Sequence, residues 1–300
     1  MKTNKLLRPT LLLAATLLAR PDLQAATILD LGPTVWFNAG SITGVANGAP
    51  VPTWTDSSGN SRNATQATVS RQPLYLGSAG ANGTPVLRFN TQLHSGGTTA
   101  NQFMSFATPL ANTAASVLTL FAVASDSSSR TSGARAILVN TRTNTTLSNG
   151  FLFGYGTSPS LEAYAHTGLT SGAGTVQTAP IAASGFDLLA LERNGLNSKI
   201  FSFSDTATNS TSTTWTGFNP STLTTTQIGT EGGAHYFFGD IAEIIAFERI
   251  LTPGESDQVA KYLGDKYLIA TASAVPEPSI MSFLGAGALF FGNWRRRRSK

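Results

Sequence analysis

The sequence predicts an all-β fold built as a two-sheet sandwich, and three observations carry that expectation. Gly, Thr, Ser and Asn crowd the chain, charged residues make up only 12%, and short apolar runs alternate with turn-forming clusters. β-Branched and aromatic side chains fit a pleated, half-buried surface, while Gly, Asn and Ser suit the bends between strands. Between the two unusual ends of the chain lie about 245 residues, enough to bury a sizeable core.

The N-terminal segment, residues 1–25, reads as a secretory signal peptide. Lys2, Lys5 and Arg8 precede the apolar run Leu11 to Ala19, and Leu23-Gln24-Ala25-Ala26 offers a small-residue cleavage site. Arg20, Pro21 and Asp22 end the apolar run too early for a stable membrane span.

Candidate strands then follow at residues 34–37, 85–89, 117–124, 136–139, 150–155, 186–192, 199–203 and 240–247. Strands at this spacing suggest two packed sheets. Asn194-Gly195 predicts a hairpin, because both residues tolerate positive φ, and the strands on either side of it should pair antiparallel. Ser127 to Ser132 and Thr206 to Thr216 read as polar loops. One helix is signalled by Thr252-Pro253-Gly254-Glu255, a capping threonine, a proline at the first helical position and a glutamate three residues after the threonine. Val259, Tyr262, Leu263 and Tyr267 recur at helical spacing and should pack on the sandwich.

Residues 269–275 read as a linker, and residues 276–300 as a separate tail. Pro276-Glu277-Pro278 holds the chain extended, since neither proline can donate a backbone hydrogen bond. The apolar run from Ile280 to Trp294, about fifteen residues, would rise roughly 22 Å as a short hydrophobic helix, against a hydrocarbon core of about 30 Å. Arg295, Arg296, Arg297 and Arg298 follow it and should stay cytoplasmic by the positive-inside rule. These features resemble a PEP-CTERM sorting signal, a bacterial envelope-targeting segment. The resemblance implies an exosortase-type processing enzyme as partner, preceded by the secretion machinery. It also implies transient residence in the inner membrane through the tail, then the cell envelope, surface or extracellular matrix.

A second resemblance rests on Trp36, on Trp54-Thr55-Asp56-Ser57-Ser58-Gly59-Asn60 with Asn63-Ala64-Thr65-Gln66, and on Pro85 to Phe89. It continues through Gly239 to Phe247 and Leu251 to Glu255 into Tyr262-Leu263. Together these residues resemble a LamG-like, concanavalin A-type jelly roll over residues 28–268. That family implies fold more firmly than function, because its members include lectins, adhesion modules and domains appended to enzymes.

Charge narrows the function. The full chain is +4, but residues 26–278 hold 11 Lys+Arg against 15 Asp+Glu, a net of −4, and no basic stripe remains, which argues against nucleic acid as a partner. Cysteine is absent, which excludes thiolate chemistry within the chain. Glycoside hydrolysis needs two carboxylates flanking one bond. On a regular strand Asp240 and Glu243, three apart, should point to opposite faces, and no E-x-D-x-E pattern occurs. Glu243 is instead expected to make a structural hydrogen bond. His94, His166 and His235 are isolated, with no metal-binding spacing, and are expected in loops or at the surface.

Two candidate sites remain. Asp56, Ser58 and Asn60 put oxygen atoms at alternate positions beside Gly59, a pattern suited to calcium; the alternative is a turn held by side chain to backbone hydrogen bonds. Trp215, set among threonines and serines, offers a ring for stacking on a sugar, with core packing as the alternative. The function expected from these features is an exported, non-catalytic module binding glycan, such as an extracellular polysaccharide, or protein. A structural matrix role and a carbohydrate-active enzyme are the alternatives.

Overall fold

The computed structural model describes residues 28–89, 101–107, 110, 113, 115–126, 136–141, 150–156, 160–166, 174–180, 185–203, 208–215, 225–231, 235–269 and 271. Residues 1–27, which include the expected signal peptide at 1–25, the tail from residue 272 with Pro276 to Pro278 and Arg295 to Arg298, His94, and the Ser127 to Ser132 segment lie outside the described residues.

In chain order the strands are β1 (Val35–Asn38), β2 (Thr53–Trp54), β3 (Ala64–Thr65), β4 (Leu74–Leu76), β5 (Val86–Phe89), β6 (Met104–Phe106), β7 (Val117–Asp126), β8 (Ala136–Asn140) and β9 (Phe151–Tyr155). They continue as β10 (Ser160–His166), β11 (Gly174–Pro180), β12 (Asp187–Asn194), β13 (Asn197–Phe203), β14 (Thr208–Thr214), β15 (Thr226–Ile228), β16 (Thr230–Glu231), β17 (His235–Tyr236) and β18 (Gly239–Phe247), followed by the helix α1 (Pro253–Tyr267).

Two eight-stranded sheets stack face to face, as expected for a jelly-roll sandwich. The first has the order β14-β13-β12-β7-β18-β5-β4, with β1 also paired to β18; the second runs β11-β10-β9-β8-β15-β6-β3-β2. Every strand pair is antiparallel. The core between the sheets contains Phe37, Trp54, Phe89, Phe106, Leu120, Phe151, Phe153, Leu189, Ile200, Phe237 and Ile244. Each such side chain, removed from water, contributes about 1.5–3 kcal/mol. Their alternation along the strands assigns the opposite face of each sheet to other residues.

On the first sheet the opposite face is partly covered by α1. Thr252 caps the helix: its side chain accepts from the Glu255 amide while the Glu255 carboxylate accepts from the Thr252 amide, so two otherwise orphaned donors are satisfied. Val259, Tyr262, Leu263 and Tyr267 are buried, as their spacing predicts, against Trp36, Phe121, Val123, Ala242 and Ile245. The helix ends at Leu268, whose left-handed φ of 53° turns the chain away.

Two expectations need correction. The hairpin turns on Gly195-Leu196, not Asn194-Gly195: Asn194 pairs with Asn197, and Gly195 alone takes the positive φ, 61°. Glycine at the first central position matches a II′ turn, whose twist suits the flanking strands. The polar segment Thr206 to Thr216 contains strand β14, which pairs along its length with β13. Threonine is β-branched and fits an edge strand well, so polarity alone misled. His166 and His235 fall in strands β10 and β17.

Candidate functional site

The Asp56 loop is a closed hydrogen-bonded turn. Asp56 Oδ1 accepts from the amides of Trp36 and Ser58, both at 2.9 Å, and Oδ2 accepts from the Ser58 hydroxyl at 2.8 Å and the Arg62 amide at 3.0 Å. Asn60 donates through Nδ2 to the carbonyls of Pro33 and Thr34, at 3.0 and 3.1 Å. The Asp56 amide in turn donates to Asn63 Oδ1 at 2.9 Å. Four donor hydrogens thus converge on the one carboxylate of the proposed calcium set. A cation there would sit against positive hydrogen ends, so these residues do not fit calcium and instead staple the chain before β3 onto β1. Among the described residues no group of three or more His, Cys, Asp or Glu is placed to hold a metal ion.

Trp215 has no exposed surface. Its ring stacks on Phe151 with centroids 6.2 Å apart, and the Arg193 guanidinium lies 6.0 Å from its centroid. A ring enclosed by the inter-sheet core has no face to offer a sugar, so the stacking role is replaced by core packing. Arg193 is also fully buried, and its Nη2 donates to the Thr113 carbonyl at 2.6 Å. Desolvation lowers its pKa to about 10.

Two carboxylates on the outer face of the first sheet, Asp240 and Glu243, are held by structural partners. The β18–β7 register shifts between Ile241 and Glu243, a bulge that inserts Ala242. Ile241 and Ile244 point into the inter-sheet core while Ala242 and Ile245 point toward α1. Asp240 and Glu243 therefore lie on one face, contrary to the expectation from a regular strand. They are nevertheless held apart in function. Arg88 grips Asp240 through Nε and Nη2, both at 2.7 Å. Glu243 is wholly buried and accepts four hydrogen bonds. Trp36 Nε1 and the Tyr262 hydroxyl donate to Oε1 at 2.5 and 3.1 Å; Lys266 Nζ and the Tyr267 hydroxyl donate to Oε2 at 2.6 and 2.7 Å. Burial first, and then the Glu243 charge, push both tyrosine pKa values up. Elsewhere Glu248 meets Arg62 at 3.4 Å, Glu255 meets Arg249 at 2.8 Å, and Asp187 lies 3.0 Å from the Tyr155 hydroxyl.

Two surfaces stand out, one for its chemistry and one for its shape. The first is the outer face of the second sheet. Cross-strand partners share a face, and the registers join Thr53 to Thr65, Thr65 to Ser105, Ser105 to Gln227 and Gln227 to Asn140 in one row across five strands. Their neighbours Trp54, Ala64, Met104, Phe106 and Ile228 point the other way, into the core. The row descends from exposed Thr53 and Thr65, through half-buried Ser105 and Gln227, to buried Asn140. Asn140 Nδ2 donates to Gln227 Oε1 at 3.1 Å, which orients both amides. Every member is an uncharged hydroxyl or amide, able to give and accept hydrogen bonds.

The second surface is a groove of about 1190 Å³ on the outer face of the first sheet, between α1 and strands β12 and β13. Phe201 and Phe203 stack at 6.2 Å on its floor, and Lys199 Nζ lies 4.6 Å from the Phe201 centroid. A smaller polar hollow of about 450 Å³ adjoins it, bounded by Glu192, Asn197 and Thr214.

Sequence reasoning missed both surfaces. The row sits on strands of two to five residues, where alternation has too few repeats to register, and it exists only once strand order is known. The groove could be suspected from Lys199, Phe201 and Phe203, which alternate with buried Ser198, Ile200 and Ser202 and so place two aromatics outward.

Residues 274–298 match the family model described as PEP-CTERM protein-sorting motif. The chain therefore carries the C-terminal sorting signal of an exported protein directed to the cell envelope or surface, a signal that implies processing by an exosortase-type enzyme. No curated protein matches the chain. Among solved structures, an arabinofuranosidase complexed with arabinofuranosyl-α-1,2-xylobiose is similar at a TM-score of 0.58 and 14% identity, covering 85% of this chain and 67% of that one. A botulinum neurotoxin type C structure, reported with cell entry that depends on interaction with two ganglioside molecules, gives 0.54 and 10%, covering 81% and 53%. The binding domain of Paraclostridial Mosquitocidal Protein 1 gives 0.52 and 12%, covering 78% and 52%. The chain spans about half of each toxin structure, and at these identities the likeness is one of fold. Among the described residues no helix is long and apolar enough to cross a membrane.

Proposed function

We propose that the folded domain is an exported, non-catalytic module that binds a neutral glycan at the cell envelope, delivered by the secretion machinery and sorted through its C-terminal tail. The inner membrane holds the tail until an exosortase-type enzyme processes it. One observation carries the glycan reading: four solvent-accessible uncharged hydroxyl and amide side chains, Thr53, Thr65, Ser105 and Gln227, lie in register across the outer face of the second sheet, with buried Asn140 behind them orienting Gln227. Sugar hydroxyls both donate and accept, so a row of this kind matches a polysaccharide chain laid across the strands. The row bears no carboxylate, and those detailed on the first sheet are engaged by Arg88, Trp36, Tyr262, Lys266 and Tyr267, which supports binding without hydrolysis. The similar arabinofuranosidase and neurotoxin structures, whose descriptions name an arabinofuranosyl-xylobiose and gangliosides, support a sugar as ligand on this fold.

Affinity electrophoresis of the exported protein through gels containing arabinoxylan, cellulose derivatives or starch tests the reading. At least one polysaccharide should retard the wild type, and the double variant Ser105→Ala, Gln227→Ala should weaken that retardation about tenfold, equivalent to about 1.4 kcal/mol. Absence of retardation in every gel, or a variant retarded as strongly as wild type, would overturn the proposal. Release of new sugar ends from the polymer would instead favour an enzyme.

A further inference from the structure

The groove on the first sheet lies where the chain leaves the folded domain. Leu268, Ile269 and Thr271 themselves line it, so the residues that lead into the tail form its lip. Leu268 is 72% exposed and is held in the left-handed region, an arrangement that aims an apolar side chain at solvent in the absence of an occupant. The floor is apolar, formed by Phe121, Ala190, Phe201 and Phe203, and α1 supplies one wall.

The direction of the groove follows from contacts along α1. At its start the Leu251 amide donates to Thr119 Oγ1 at 3.3 Å, and Thr119 pairs across the sheet with Glu192. At its end Lys266 and Tyr267 reach Glu243, which pairs with Val123, itself in line with Leu188 and Phe203. A segment entering beside Leu268 and running antiparallel to α1 would therefore cross Phe203 and Phe201 and finish near Glu192 and Asp257.

From this we infer that the groove is an intramolecular docking site for the chain's own apolar tail segment, Ile280 to Trp294, before a membrane or a processing enzyme takes it. Length agrees: α1 has 15 residues, about 22 Å, and the apolar segment matches it as a helix. The eight or so residues between Thr271 and Ile280 reach up to about 26 Å when extended, enough to bring the segment back to the lip. Charge favours the same direction modestly: the body of the chain, residues 26–278, is net −4, the groove is lined by Glu192, Asp257 and Asp265 against Lys199 and Lys261, and Arg295 to Arg298 would arrive at the end that holds Glu192 and Asp257. An amphipathic or apolar helix in a groove buries its contacting face without needing sequence-specific hydrogen bonds.

The chain contains no cysteine, so introduced pairs report proximity without background. The full chain, translated in a cell-free system without membranes or detergent and oxidised at high dilution, should form an intramolecular disulfide in the Lys261→Cys, Leu284→Cys variant. Its yield should be at least fivefold above that of Thr65→Cys, Leu284→Cys, which probes the opposite sheet, and of Lys261→Cys, Leu13→Cys, which probes the N-terminal apolar segment. Adding Phe201→Glu should reduce the first yield at least fivefold. Equal yields in all pairs, preference for Leu13→Cys, disulfides formed only between two chains, or a yield unaffected by Phe201→Glu would overturn the inference.

Discussion

At the scale of single residues, Glu243 fastens α1 to the sandwich. A fully buried carboxylate is tolerable only because Trp36, Tyr262, Lys266 and Tyr267 together replace its hydration. Replacing it by glutamine leaves Lys266, only 18% exposed at its side chain, facing a neutral amide. Glu243→Gln should therefore cost about 3 kcal/mol in urea unfolding, whereas Asp240→Asn, whose Arg88 partner is 38% exposed, should cost about 1 kcal/mol. Asp56 makes a second test. Asp56→Ala strands the Trp36 amide and should cost about 3 kcal/mol, while adding millimolar calcium should leave the wild-type melting temperature unchanged. A calcium-dependent rise in melting temperature would restore the metal reading. The sequence made Glu243 legible as structural but hid the face it shares with Asp240, because a bulge changes alternation without leaving a mark in residue type. Trp215 misled for a different reason: its Ser and Thr neighbours are polar, yet just past β14 its amide is tied to the Leu196 carbonyl at 2.7 Å and its indole is fully buried.

At the scale of elements, segments with a concentrated apolar run or a capping box were legible, whereas the two- and three-residue strands and the seven-residue strands β10, β11 and β14 were not. β7, β12, β13 and β18 announce themselves because each repeats its apolar pattern several times, and α1 because its capping box and its buried face agree. β2, β3, β6 and β15 have two or three residues each and take their identity from partners distant in sequence. This is also why the polar row was invisible before the fold. The capping box gives an element-level prediction: Thr252→Ala should destabilise by about 1 kcal/mol, seen as a lower urea midpoint with unchanged slope. A changed slope would mean that α1 melts separately from the sandwich.

At the scale of the whole molecule, the two tyrosines on Glu243 make stability depend on alkaline pH. Their folded-state pKa values lie above the ordinary value near 10, so the stability they contribute is fully present below pH 10 and is lost as pH rises above it, when the unfolded chain ionises first. Tyrosinate absorbance from these rings should appear together with loss of near-ultraviolet circular dichroism, not before it. The sandwich itself turns two faces outward, one bearing the apolar groove beside the exit of the tail and one bearing the uncharged row. On the two proposals made above, tail and glycan would engage opposite sides of one domain. Hydrogen exchange of the exported protein, with and without the polysaccharide that retards it most, tests this division directly. The account predicts slowed exchange confined to the backbone around Thr53, Thr65, Ser105 and Gln227; slowing confined to the groove strands β12 and β13, or no slowing anywhere, would contradict it.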